Sequence, residues 1–438
     1  MTKDMTTGSP LRIILLFSIP VLLGNLFQQF YSMVDTMIVG RVLGTGPLAA
    51  VGSTGSITFL IIGFCLGLCS GFAIPVAQRF GSRDYKELRR FIGNAVWLCV
   101  GFGIVLTVLT VIFCRNILEL MGTPADIIDD AYAYLVVIFA GIPATFLYNM
   151  LAGIQRAIGD SRTPVVILVI ASIINIVLDI VLVVFIPMGV AGAAVATVAS
   201  QLIGGVVCLL YVSKHYEVLK MTREDFKINV PCIKRLLSMG LPMALQTSIT
   251  AIGSVILQAS VNSLGSTVVA SITAGSRLYM FFACAYDAMG VTMSTYSGQN
   301  IGARKIDRIG QGVKACNIVG IIYSVLALLI IVFLGKWMLL LFVDAGETAI
   351  INSAYWYLVC SGLFMIPLTF VNVLRLTIQG MGYSRLALFA GVFEMIARGG
   401  VGLFLVPLFG FNAACFSGPI AWILADSFLI PMYYHVIH

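Results

Sequence analysis

From Arg12 to Arg41 the chain reads RIILLFSIPVLLGNLFQQFYSMVDTMIVGR. The residues between the two arginines carry one charge, Asp35. About 20 apolar residues in helical form cross the hydrocarbon of a bilayer, so this stretch reads as a membrane-spanning helix. The pattern recurs along the whole chain, which is 60% hydrophobic and 10% charged, with a mean hydropathy of +1.03. Soluble domains are typically about a quarter charged. Twelve spans are expected, at 13–38, 50–77, 91–113, 131–153, 165–186, 190–212, 238–262, 268–294, 313–334, 351–378, 386–406 and 413–435. The chain is therefore expected to be an all-α polytopic membrane protein with the lipid bilayer as its main surroundings.

The first span has no short apolar core followed by a small-residue cleavage site, so it is expected to stay in the mature protein. The net charge of +7 does not point to nucleic acid; it sorts by loop. Twenty of the 26 Lys and Arg fall at the N-terminus and in loops 2–3, 4–5, 6–7, 8–9 and 10–11, whereas the opposite loops hold only Arg41, Arg115 and Lys336. This asymmetry places both termini in the cytoplasm, and a plasma-membrane location is expected. The 10 cysteines lie mostly inside spans, and His215, His435 and His438 form no metal-ligand pattern. No P-loop, zinc-hydrolase or serine-hydrolase motif is present, and neither enzyme activity nor a cofactor is expected.

The chain repeats itself. Gly44 pairs with Gly265, Gln78 with Gln299, Gly81 with Gly302 and Arg83 with Arg304, each at an offset of 221. Ile142-Pro143 pairs with Ile366-Pro367, Gly159-Asp160-Ser161-Arg162 with Gly382-Tyr383-Ser384-Arg385, Pro187 with Pro407 and Gly189 with Gly410. Residues 1–212 are thus expected to form one six-helix lobe, 213–236 a cytoplasmic linker and 237–438 a second lobe. Halves with an even number of spans insert in the same orientation, so a pseudo-two-fold axis along the membrane normal and a central cleft follow.

Ionisable residues inside spans are costly and point to function. Asp35 lies about 9 Å, and Asp179 about 12 Å, below the same surface. Asn175 shares a helix face with Asp179, and Thr197 sits at similar depth on the returning span. Two carboxylates, an amide and a hydroxyl can hold Na⁺, or share a proton, because close carboxylates do not both ionise cheaply. In the repeat Asp35 falls on Ile256 and Asp179 near Gly399 or Gly400, so the site belongs to the first half alone. Pro20 is a candidate kink on the helix that carries Asp35, with Pro242 at the matching place. In the second half, Glu394 and Arg398 are spaced to pair; Arg277, Asp287, Arg375 and Asp426 are further intramembrane charges. Gln28, Gln29, Gln246, Gln258, Tyr279, Tyr286 and Met289 are candidates to line the cleft and meet amphipathic or cationic ligands.

The segments Ile19-Pro20, Val34-Asp35-Thr36, Gly40-Arg41, Gly81-Ser82-Arg83, Gly159-Asp160-Ser161-Arg162 and Asn175 to Asp179, in this order and spacing, resemble the multidrug and toxic compound extrusion (MATE) family. The resemblance implies two six-helix lobes and export of organic cations and other amphiphiles, driven by inward H⁺ or Na⁺ flux. It also implies a first-lobe ion site at Asp35, Asn175, Asp179 and Thr197 and a bend at Pro20. The protein is expected to be a monomer. One departure matters. The NorM-like branch has a glutamate eight residues after the proline of span seven; here that position is Thr250, so the chain looks closer to the DinF-like branch. A lipid-linked oligosaccharide flippase of the same superfamily and a non-transport membrane receptor are the competing readings.

Overall fold

The computed structural model describes residues 3–437, so His438 lies outside the described residues. Among these residues there are helices and turns and no strands. In order, they are α1 Pro10–Val42, α2 Thr45–Ser53, α3 Gly55–Gly81, α4 Tyr85–Ile112, α5 Cys114–Leu120, α6 Ile128–Ala140, α7 Ile142–Ala157, α8 Arg162–Asp179 and α9 Val190–His215. After two short 3₁₀ turns come α10 Val230–Asn262, α11 Ser266–Gly302, α12 Ile306–Leu339, α13 Thr348–Leu363, α14 Met365–Gly380, α15 Ser384–Gly400, α16 Val406–Phe409 and α17 Phe411–Ile437.

Among the described residues ten spans are long, apolar and unbroken, and two bent pairs, each counted as one span, bring the total to twelve. The stretches 131–153 and 351–378, expected as single helices, are these pairs. α6 and α7 meet at 46°, and α13 and α14 at 54°. Pro143 and Pro367 stand in the first turn of the second member of each pair. Proline is tolerated there but lacks the N–H and the clearance to continue the helix before it. The expected span 50–77 is likewise divided, at Thr54, whose hydroxyl donates to the Val51 carbonyl (2.7 Å).

The repeat is written into the backbone. Left-handed conformations recur at Gly44 and Gly265 (φ 94° and 100°), Arg83 and Arg304 (59° and 58°), Gly159 and Gly382 (87° and 103°), and Gly189 and Gly410 (64° and 59°). A wide π turn, rare in proteins and frequent at functional sites, follows α8 at Ile180–Phe185 and α15 at Val401–Leu405.

The chain packs as two compact units: Met1–Asp4 with Leu23–Ala244, and Met5–Leu22 with Leu245–His438. α1 and α10 are therefore each divided between units, and both divisions fall two residues past a proline, Pro20 and Pro242. In the first unit α7 packs against α3, α4 and α9, and Phe72 and Ile142 share one buried core with Leu135 and Phe139 of α6. In the second, α11 packs against α12, α13 and α14 around Tyr286, Met293 and Tyr296. All ten cysteines are buried and none is in a disulfide. Large apolar side chains such as Phe333, Trp337, Phe404 and Leu408 stay exposed on the helix exteriors, as lipid as solvent allows.

The turn between α7 and α8 is built on Asp160. Its Oδ1 accepts from the amides of Arg162 (3.0 Å) and Thr163 (3.1 Å), and its Oδ2 from the hydroxyls of Thr163 (2.7 Å) and Tyr216 (2.5 Å). Gly159 before it is left-handed, and a Cβ there would overlap the Lys3 carbonyl. Burial pushes the Asp160 carboxyl up, but the hydrogen bonds from Tyr216 and Thr163 outweigh it and hold the group below the ordinary carboxylate value. A carboxyl depressed on folding stabilises above its unfolded pKa, and that stability is lost as pH falls through the folded value. Asp160→Asn should therefore destabilise the protein at pH 7 by about 1.5–3 kcal/mol. The gap to wild type should close as the pH is taken below about 4. Thermal melting in detergent across pH measures both; an equal gap at acid pH would show that the charge of Asp160 is not what stabilises the turn.

Candidate functional site

In the first unit, the later part of α1 brings Asp35 beside Asp179 at the end of α8, so the two carboxyl groups neighbour each other. Asn175 lies one turn back on α8 and is buried with Asp179. It lines a cavity of about 30 Å³ with Thr197, Ser200 and Gln201 of the neighbouring spans and with Tyr31 and Tyr148. A space of that size holds about one water or small ion. The structure thus brings Asn175 and Thr197 into one cavity and pairs Asp35 with Asp179 a turn away.

The polar atoms here lack partners. Asp35 Oδ1, both carboxyl oxygens of Asp179, and Oδ1 and Nδ2 of Asn175 are buried with no hydrogen bond. Native proteins pair nearly all such groups, and each orphan costs about 1–3 kcal/mol. Four of the five atoms are oxygens. Adjacent acid oxygens without donors are relieved by a shared proton or by a hard cation, which takes oxygen ligands. Thr197 is different: its hydroxyl donates to the Ala193 carbonyl (3.0 Å), leaving its lone pairs for the cavity.

The equivalent place in the second unit carries no charge. Ile256 sits where the repeat places Asp35, and its side chain stands 3.7 Å from where a Cβ on Gly399 would be. The helix contact is kept and the carboxylates are not.

Two residues near the carboxylates went unread in the sequence. Tyr31 and Tyr134 stand within electrostatic reach of both Asp35 and Asp179. Tyr31 is four residues before Asp35 and so shares its helix face, a signal present in the sequence. Tyr134 comes from α6, and nothing local marks it.

In the second unit, Glu394 and Arg398 do pair, at 3.7 Å, but the shorter partner of Glu394 is Arg375, whose Nη1 donates to Oε1 at 2.8 Å. Arg375 also donates to Asn372 (3.3 Å), and Arg398 to Ser254 (2.8 Å). Asp426 Oδ1 is buried without a partner. Gln246 is buried and accepts from Gln379 (2.6 Å), and Tyr279 stacks on Trp422 with centroids 6.0 Å apart. Gln28, Arg277 and Asp287 are exposed, and Gln258 donates to Asn262 (2.8 Å). Tyr286 and Met289, expected to line a cleft, are instead buried in the core of their unit, and the Tyr286 hydroxyl is within 2.9 Å of that of Ser324. Their helix α11 is apolar on most of its circumference, so spacing alone did not tell which face is covered.

Known proteins match both the fold and the duplication. The MatE family model matches twice, over residues 20–181 and 242–403, at an offset of 222. A relative from Bacillus subtilis (strain 168), the probable multidrug resistance protein YoeA, is 32% identical over 79% of this chain and 76% of its own length. DNA damage-inducible protein F of Escherichia coli (strain K12) is 27% identical over 71% of this chain and 69% of its own. Among solved structures, a crystal structure of MATE in complex with MaL6 superposes with a TM-score of 0.93 at 22% identity, covering 100% of this chain and 99% of that one.

Proposed function

The chain belongs to the MATE family of membrane transporters, and from that premise we propose that it is a secondary antiporter exporting organic cations and other amphipathic drugs in exchange for H⁺ or Na⁺. The observation that carries this reading is the Asp35–Asp179 pair, whose buried oxygens lack donors and which has no counterpart in the second half. Such a pair changes its energy on gaining or losing one positive charge, as a coupling site must. Asn175 and Thr197 supply the neighbouring oxygens. Asp35 lies on the helix that passes from one unit to the other just after Pro20, so ion occupancy acts on the segment where a kinked helix can flex. Alternating access then follows from rocking of the two units, with the protein in the plasma membrane and both termini in the cytoplasm.

The relative named for multidrug resistance supports a drug-like substrate, and the acid pair supports cation coupling. Ethidium or norfloxacin movement in liposomes holding the purified protein, under an imposed pH or Na⁺ gradient, tests the proposal. Gradient-driven flux of at least one of the two is expected; none under either gradient would sink it.

A further inference from the structure

A large cavity of the first unit lies away from the Asp35 pair and shares no residue with it. It is a groove of about 820 Å³ between α4, α7 and α9, roofed by the segment that follows α9. Along α4 it runs from Ile92 to Ile104, about 18 Å. One leaflet of hydrocarbon is about 15 Å thick, half of the bilayer core, so the groove has the depth of one leaflet. Its walls are apolar except at one end, where Ser213 and Lys220 enter the lining. The Ser213 hydroxyl is already bonded to the Leu210 carbonyl (2.9 Å). Lys220 is thus the one charged side chain lining the groove among the described residues.

The roof is fixed at the Ile92 end. Trp97 Nε1 donates to the Phe226 carbonyl (2.9 Å), and Asn94 Nδ2 to that of Lys227 (3.3 Å). Gly93 lets Asp225 approach so closely that a Cβ would overlap its carbonyl. This is the end of α4 next to the Arg- and Lys-rich loop, the cytoplasmic side by charge. Trp97 is half exposed, as tryptophans at a membrane–water interface are. Lys220 is 64% exposed and its contact with the outward-pointing Glu217 is 3.8 Å long. An exposed pair of this kind holds its lysine weakly.

We propose that this groove is a site for one anionic phospholipid of the cytoplasmic leaflet, with acyl chain between α4, α7 and α9 and phosphate at Lys220. An apolar body of leaflet length with a single negative head is the complement of an apolar groove of leaflet length with a single positive rim. The site is separate from the transport pair, so it stands whether or not the antiport reading does.

Native mass spectrometry of the full chain in detergent, titrated with dioleoyl phosphatidylglycerol or dioleoyl phosphatidylcholine, tests it. Wild type should bind the anionic lipid about fivefold more tightly, the worth of one interfacial lysine. Lys220→Gln, on an exposed side chain, should abolish the preference and keep the residual binding of both lipids. Lys86→Gln, exposed on the same side of the membrane, should leave the preference unchanged. Gly103→Leu should weaken both lipids: the position lines the groove, and its Cβ would meet only Phe146, at an ordinary 3.7 Å. Equal binding of the two lipids by wild type, a preference that survives Lys220→Gln, or equal losses in Lys86→Gln and Lys220→Gln would overturn the proposal.

Discussion

Asp179→Asn should reduce gradient-driven export to the level of protein-free liposomes while the protein melts no lower than wild type. The two halves of this expectation come from the same atoms. Neither carboxyl oxygen of Asp179 has a hydrogen-bond donor outside the acid pair, so the substitution removes no structural contact beyond the one with Asp35. It does remove one of two adjacent buried acids, whose joint ionisation is costly without a bound cation. Stability should hold or rise, and the capacity to take up and release a cation should go. Asp35→Asn should behave alike, and the double variant should be no worse than either single one, since the two groups act as a unit. Drug binding measured without a gradient should survive in both. Export near the wild-type rate in either variant, or a marked fall in melting temperature, would show that the pair is not the coupling site.

Gly71→Leu should prevent the first unit from packing. α3 and the opening half of α10 cross there at backbone distance. A Cβ on Gly71 would stand 2.5 Å from Gly240 Cα, and one on Gly67 would stand 2.6 Å from Ala244 Cα. Both helices present small residues four apart, the pattern by which membrane helices approach closely. The obstruction is main chain, which cannot rotate aside as a side chain would. Overpacking of a core costs about 1–3 kcal/mol and more where nothing yields, so the upper end or beyond is expected here, with little folded protein recovered. Gly101→Ala is the control: no atom lies within 4 Å of its Cβ position, and helix propensity alone should stabilise by up to about 1 kcal/mol. Thermal melting of both variants in detergent decides the matter; a Gly71→Leu protein melting like wild type would show that the crossing is looser than its geometry. The crossing brackets Pro242, so α10 is clamped up to the residue where it leaves the first unit.

What could be read from the sequence is what repeats along one dimension. The spans follow from apolar runs, and the duplication follows from paired turns whose left-handed backbones at Arg83 and Arg304 are now visible. Asp35 and Asp179 were legible because a charge in an apolar run is conspicuous. Contacts between helices were less so. Gln246 was a candidate to line the cleft, and its bond from Gln379 on α14 leaves no trace in the local sequence. The sequence spacing of Glu394 and Arg398 hid the shorter bond to Arg375 on another helix. Pro143 and Pro367 served as markers of the repeat, yet each also bends its span, because a proline's effect falls on the turn before it.

The π turns stand at the same place in both halves, Ile180–Phe185 and Val401–Leu405, and each is wider than an α turn. The acid at the mouth of the first turn has no twin: the second turn opens on Gly400. The widened turn is therefore common scaffold, and the carboxylate at its mouth is what sets one half apart from the other.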